Sequence, residues 1–190
     1  MTEVYSELKF QSSAPEQMAS NMSSVLMGAA TNANDCLREH VRANPNASGM
    51  GATLVAAVIY KSQLFWISIG DSPLYLFRDN VLKQLNEDHS MAPQIDFMVD
   101  SGLMDVEVGR DHPDRNCLTS ELAGDEIARI DCPARPIDLM DGDILLVSSD
   151  GLQFLGHDDI QSTLLDMVDA PAGEIADQLL EEIDALEDPY

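Results

Sequence analysis

Few stretches of this chain join a chemically capable side chain to backbone stiff enough to hold it still. The foremost is Asp141-Gly142-Asp143-Ile144-Leu145-Leu146-Val147-Ser148-Ser149-Asp150-Gly151-Leu152. A glycine turn launches an apolar run of strand length, residues 144–147, which stops at Ser-Ser-Asp-Gly. Asp150 therefore stands at a strand end, with a glycine behind it that lets backbone or ligand come close. A carboxylate so mounted suits a hard cation or a water bound to phosphate. The same letters also describe an ordinary strand-to-turn aspartate, because Asp-Gly is a frequent turn dipeptide. A second acid-bearing stretch is Asn86-Glu87-Asp88-His89-Ser90, in which His89 is expected at the surface, the alternative being a hydrogen bond that orients Asp88. A third, Arg110-Asp111-His112-Pro113-Asp114-Arg115, brings two guanidinium groups that could take phosphate oxygens in pairs. Surface pairing with the acids beside them is the competing account of Arg110 and Arg115.

The elements that would carry these groups need a core, and the chain is long enough for one. It has 190 residues, 45% of them hydrophobic, which fits one domain of ordinary size. Ten Lys and Arg face 34 Asp and Glu, a formal charge of -24. A field of that sign repels nucleic-acid phosphates and anionic lipid heads, so neither nucleic acid nor a membrane surface is an expected partner. The imbalance is steepest from residue 136 onward, where no Lys or Arg occurs. Those acids read either as a solvated face or in part as a cation site. Cys36, Cys117 and Cys132 are odd in number and show no CxxC spacing, which points away from a disulfide framework or a zinc knuckle and toward a reducing, cytoplasmic compartment. The start has no basic region followed by an apolar core. The longest apolar run, 54–60, is far shorter than the ~20 residues of a membrane span.

Taken in order, a polar lead of 1–14 precedes a helix over 15–41, whose expected inward stripe is Met18, Met22, Val25, Leu26, Ala29, Ala33, Cys36, Leu37, His40 and Val41. Four apolar runs follow at 52–60, 64–69, 74–77 and 81–85, separated by short polar turns. Short spacers make neighbours antiparallel, which predicts a meander of four, and the first two runs read as strands buried on both faces under helices. Asp79-Asn80 is a hairpin turn, since both residues tolerate positive φ. Trp66 is expected in the core between sheet and helix. A helix over 92–101 closes at Gly102, and the charged, aperiodic segment beyond it reads as exposed and mobile. Further strands are expected at 118–122, 126–131 and 135–139. Two helices finish the chain, the first from about Asp158 burying Ile160, Leu164 and Met167, the second after Pro171 burying Ile175, Leu179, Ile183 and Leu186.

Four of these segments, in order, resemble the metal-dependent protein phosphatases, the type 2C serine/threonine family. Gly49-Met50-Gly51-Ala52-Thr53 before an apolar strand resembles the family's Gly-x-Thr strand opening. Ile69-Gly70-Asp71-Ser72-Pro73-Leu74-Tyr75 resembles its Val-Gly-Asp-Ser-Arg-x-Tyr turn, with Pro73 where Arg is usual. Leu85-Asn86-Glu87-Asp88-His89-Ser90 resembles its Leu-Thr-x-Asp-His-Ser exit, and residues 141–152 its Gly-Asp and Ser-Asp-Gly-Leu strand. Asn116-Cys117-Leu118-Thr119-Ser120 fits its Leu-Thr-Arg segment more loosely.

The resemblance implies an α+β fold, a four-layer α-β-β-α sandwich of two antiparallel sheets flanked by helices, as one domain over 1–190. It implies a two-metal site of Mg or Mn whose shared water is the nucleophile, so that no side chain attacks phosphorus and the substrate is a phosphoprotein. On this reading Asp150 matches a core metal ligand and Asp88 a ligand of a third, weaker metal. Residues 91–116 match a flap beside the site, and Arg110 and Arg115 are candidates for binding substrate. The family's N-terminal Asp-Gly-x-Gly-Gly turn and its final strand opened by Asp-Asn are not found, so the domain reads as truncated at both ends and its activity alone as doubtful. An unpaired sheet edge would then invite a partner chain. The rival to an enzyme is a non-catalytic, phosphatase-like interaction module.

Overall fold

The computed structural model describes residues 15–186, with side chains from residue 21. The polar lead, the side chain of Met18 and residues 187–190 lie outside the described residues. The chain forms two compact units, each built from two stretches of sequence.

The first unit takes the residues up to 71 together with 87–138. Its long helix, α1 (Pro15–Ala43), begins at a proline that is tolerated in a first turn and ends where Asn44 folds back on the His40 carbonyl ahead of Pro45. Strands β1 (Leu54–Tyr60) and β2 (Gln63–Ile69) form a hairpin whose turn is Lys61-Ser62, at φ 49° and 58°. Two left-handed residues match the twist of the strands and fix the register at Tyr60 opposite Gln63. The other edge of β2 pairs with the two-residue β5 (Ile137–Asp138). Helices α2 (Ala92–Asp100) and α3 (Val106–Arg110) complete the unit.

Met22, Leu26, Ala30 and Asn34, four residues apart, form the buried line of α1, and the apolar ones pack on Phe65, Ile67 and Ile69 of β2. The expected stripe is thus rotated: Ala33, Cys36 and His40 are exposed. Asn34 takes the inward place because its amide is fully used there. Its Nδ2 donates to the Asp125 carbonyl at 2.6 Å and its Oδ1 accepts the Gly124 N–H at 2.8 Å. Gly124 has φ +87°, and a Cβ on it would sit 2.7 Å from the Arg38 Cα, so only glycine brings this loop onto the helix. Trp66 is buried as expected, but it alternates with Phe65 and Ile67 and so faces away from α1. Of these two strands, β2 approaches full burial and β1 is half-buried, with Ile59 60% exposed.

The second unit comprises 72–86 and residues from 139 onward. Strand β3 (Leu74–Arg78) lies between β4 (Val81–Gln84) and β6 (Ile144–Val147), all antiparallel. The β3–β4 turn is Asp79-Asn80 at φ 52° and 64°, as its residue types require. Helices α4 (His157–Asp166) and α5 (Ala172–Asp184) bury Ile160, Leu164, Ile175 and Leu179 against Tyr75 and Phe77 of β3. Each such side chain contributes about 1.5–3 kcal/mol on leaving water. Met167 and Ile183 are only partly buried, and Leu186 is exposed.

The chain therefore builds two three-stranded antiparallel sheets and an α+β fold, not one meander of four. Both edges of β2 are occupied by β1 and β5, and both edges of β3 by β4 and β6. The link between them cannot act as a hairpin turn: Gly70 leaves the ladder at φ +103° and Pro73 has no N–H to give. The strands expected at 118–122 and 126–131 reduce to isolated bridges, Ser90 with Leu118, Ala52 with Leu122 and Ser68 with Asp131. The segment after Gly102 is exposed but contains the short α3, whose first turn Asp105 caps by accepting the Glu107 N–H.

Two anchors are open to measurement. Asn34→Ala leaves the Gly124 N–H and the Asp125 carbonyl unpaired and is expected to cost about 2–3 kcal/mol in urea unfolding. In the second unit the Arg78 guanidinium forks onto Asp143 at 2.8 and 2.6 Å, and Asp143 also accepts the Met140 N–H. The Arg78 hydrogen bonds hold the Asp143 carboxyl below the usual carboxylate range. Its contribution is then complete above the ordinary carboxylate pKa of about 4 and is lost as pH falls through the folded-state value. Asp143→Asn is expected to cost about 2 kcal/mol at neutral pH, a deficit that closes on acidification in parallel melts of the two proteins.

Candidate functional site

Asp150 is positioned by the strand before it and the apolar anchors after it. Beyond Val147, the Ser148 N–H donates to the Pro73 carbonyl at 3.3 Å, which extends the β3–β6 ladder by one residue. Ser149 stays extended, and a single 3-10 turn, Asp150–Phe154, follows. Leu152 and Leu155 are buried in the second unit's core and pin that turn. Asp150 is exposed, opens the turn where an acid complements the helix dipole, and has no hydrogen-bond or ion-pair partner among the described residues. The carboxylate read as a strand-end acid is thus held by backbone and presented to solvent. Gly151 gives it no special backbone: a Cβ there would meet only Ser149 Oγ, at 3.4 Å.

Asp88 belongs to the first unit. It is half-buried, and its Oδ1 accepts the Ser90 N–H at 2.8 Å, a local turn that fixes the carboxylate. His89 is not at the surface: it is 1% exposed. Its Nδ1 accepts the Gly70 N–H at 3.3 Å, its own N–H donates to the Gly70 carbonyl at 3.1 Å, and its carbonyl accepts from both Thr119 N–H and Thr119 Oγ1. Accepting at Nδ1 assigns the neutral ring's proton to Nε2. Burial pushes the imidazole pKa down, against the opposing pull of Glu87, Asp131 and Asp88. His89 therefore ties three chain segments together and does not orient Asp88.

The arginines are already engaged. Arg110 is exposed and its Nε donates to Asp111 at 3.1 Å. Arg115 forks onto Asp96 of α2 at 2.7 and 3.1 Å. A phosphate at either would have to displace a carboxylate. Sequence reasoning missed Asn86, which is buried, accepts the Leu74 N–H at 2.7 Å and donates to the Ser72 carbonyl at 3.0 Å. An amide just past the end of an apolar strand, ahead of Asp-His-Ser, is the signal that could have found it.

A hard divalent cation takes six or more oxygen ligands. Among the described residues no three His, Cys, Asp or Glu side chains come together as a metal site would need, and Asp88 and Asp150 fall in different units. The described residues offer single carboxylates and do not by themselves form a cradle for a metal pair.

Two antiparallel sheets carry helices, and an exposed acid stands where a strand runs into Ser-Asp-Gly-Leu. Residues 3–94 match the family described as protein phosphatase 2C. The serine/threonine phosphatase stp of Listeria welshimeri is 38% identical over 105 residues, which are 55% of this chain and 40% of that protein. The crystal structure of the Mycobacterium tuberculosis serine/threonine phosphatase PstP superposes with a TM-score of 0.70 at 29% identity, covering 86% of this chain and 66% of that one. A PstP catalytic domain in complex with two manganese ions superposes with a TM-score of 0.60 at 29% identity, over 79% of this chain and 59% of its own. The chain is similar to the protein phosphatase 2C family, whose pattern it matches over residues 3–94, and it spans about 40% of the length of the Listeria relative.

The different duties of Asp88 and His89 can be separated. His89→Phe strands the Gly70 N–H in a buried place and is expected to cost about 1–3 kcal/mol. Asp88→Asn keeps an oxygen for the Ser90 N–H and should stay within about 0.5 kcal/mol of the parent protein. Urea titrations of the two variants read the difference directly.

Proposed function

We propose that this chain is part of a serine/threonine phosphoprotein phosphatase that hydrolyses phosphomonoesters with a metal-activated water. The observation that carries the reading is the unpartnered, solvent-facing Asp150 on a backbone mount, in a chain similar to this family. Asp150 serves as one ligand of a divalent ion, and Asp88, fixed by its own turn, as a ligand of a weaker one. Arg110 and Arg115 receive substrate phosphate by exchanging their carboxylate partners for it. No catalytic step is assigned to the described residues alone, because they lack a full ligand set. Manganese is the cation of the PstP complex, and it is the metal we propose here, ahead of magnesium. Three free cysteines support a cytoplasmic location and a role in intracellular phosphoprotein signalling.

The test is a chimera in which residues 15–186 replace the matching portion of the Mycobacterium tuberculosis phosphatase. It is expected to hydrolyse p-nitrophenyl phosphate and a phosphothreonine peptide with Mn²⁺. Asp150→Asn should lower kcat/KM by roughly 100-fold and Asp88→Asn by roughly tenfold. The 190-residue chain alone, with the same metal, should remain at background. A folded chimera that turns over neither substrate would defeat the proposal, and turnover indifferent to Asp150→Asn would remove that residue from the site.

A further inference from the structure

Strands β3 and β6 are apolar at every paired position: Leu74, Tyr75, Leu76 and Phe77 on one, Ile144, Leu145, Leu146 and Val147 on the other. A strand that alternates apolar and polar residues has its register fixed by that alternation, since a one-residue slip turns the polar face inward. Neither of these runs alternates, so a slipped β6 still meets apolar side chains at its rungs. The register matters all the same, because Asp150 stands three residues past the end of β6 and moves with it. A slip of two residues preserves the faces and carries Asp150 about 6–7 Å along the strand direction.

The two ends of the ladder differ in what holds them. Toward Asp150, one bond of 3.3 Å from the Ser148 N–H to the Pro73 carbonyl closes the pairing. Pro73 has no N–H to return, and the Leu74 N–H is given to Asn86. At the other end, the register continued by one residue sets Arg78 opposite Asp143. By antiparallel alternation from the Ser148–Pro73 bond, this is a non-hydrogen-bonded rung, where facing side chains come closest. The two carboxylate oxygens take the guanidinium at 2.8 and 2.6 Å, and Oδ2 also accepts the Met140 N–H at 2.8 Å, which ties the rung to the turn at Gly142. The Asp143 side chain is 6% exposed. Any slip takes this carboxylate off its donors and leaves it buried, a cost that slipped apolar rungs do not offset.

We propose that Asp143 is a positioning residue for Asp150: its fork with Arg78 sets the register of β6 on β3, and through β6 the place of the Asp150 carboxylate. The effect on register stands apart from any activity, whereas the effect on turnover rests on the proposed part of Asp150 in the phosphatase.

Register is read on the 190-residue chain from α-proton contacts in nuclear Overhauser spectra. In the parent, Leu76 faces Leu145 and Leu74 faces Val147 in non-hydrogen-bonded pairs, and both should give strong cross-peaks. Asp143→Asn puts an NH2 group against the Arg78 and Met140 donors. It is expected to weaken both cross-peaks by roughly half or more and to raise a new one, Leu76 with Val147 or Leu74 with Leu145 according to the direction of the slip. Arg78→Lys, which keeps the charge but not the fork, is the milder second variant and should shift the same cross-peaks in the same direction. Asp143→Glu, which keeps both the charge and the pair of oxygens, should retain the parent pattern.

Turnover is read in the chimera with the Mycobacterium tuberculosis phosphatase. There Asp143→Asn should lower kcat/KM about tenfold or more and Asp143→Glu by no more than about threefold. Gln161→Ala, which removes the acceptor of the Leu82 N–H on β4, should lower the melting temperature and leave kcat/KM within about twofold of the parent. Parent cross-peaks unchanged in Asp143→Asn and Arg78→Lys would overturn the proposal. So would a fall in kcat/KM that Gln161→Ala matches at equal loss of melting temperature. A parent chimera without turnover would count against the phosphatase reading, and the cross-peaks alone would then decide whether Asp143 sets the register.

Discussion

No backbone donor or acceptor is left buried without a partner at low cost, and this chain meets that constraint where it passes from one sheet to the other. Between β2 and β3 it has only Gly70, Asp71, Ser72 and Pro73 in which to leave one ladder and enter a second. The groups released are taken by two residues three apart in sequence, through both side chains and one backbone N–H. His89 holds both the N–H and the carbonyl of Gly70, and Asn86 holds the Ser72 carbonyl and the Leu74 N–H. The family's Gly-Asp-Ser turn and Asp-His-Ser exit are therefore, in this molecule, partly a device for ending and beginning strands. Asp88 is carried by that device, lodged between the two residues that do the holding.

Electrostatics are uneven between the units. Among the described residues of the second unit only Arg78 and Lys83 are basic, so the Arg78 fork onto Asp143 uses one of two available cations to fix the turn that opens β6. Asp150, at the far end of the same strand, receives no such neutralisation. Of the two acids that flank this strand, Asp143 is committed to structure and Asp150 faces solvent.

The sequence reveals features set by local geometry and hides those set by distant partners. Helix periods located α1, α2, α4 and α5, and Asp79-Asn80 announced its turn because few residue pairs tolerate positive φ twice. Splitting the meander required knowing that β5 and β6, far along the chain, claim the second edges of β2 and β3. Likewise Ala33 looked like a better inward residue than Asn34, until Gly124 and Asp125 arrive from elsewhere to occupy the amide. At the site, Asp150 was legible from a strand stopping at Ser-Asp-Gly. His89 was not, since a histidine that follows two acids gives no hint that it will be buried on Gly70. The pairing of Arg115 with Asp96 depends on the packing of α2, which no motif encodes.

The two-residue turns Lys61-Ser62 and Asp79-Asn80 also bear on the order of assembly. Each closes its hairpin between strands adjacent in sequence, an event of roughly microseconds that needs no long loop. Strand β6 must instead find β3 from beyond α2, α3 and β5, and it closes a far larger loop in doing so. The strand that carries Asp150 is therefore among the last to dock, and the acid reaches its final place only when the slowest pairing of the second unit is complete.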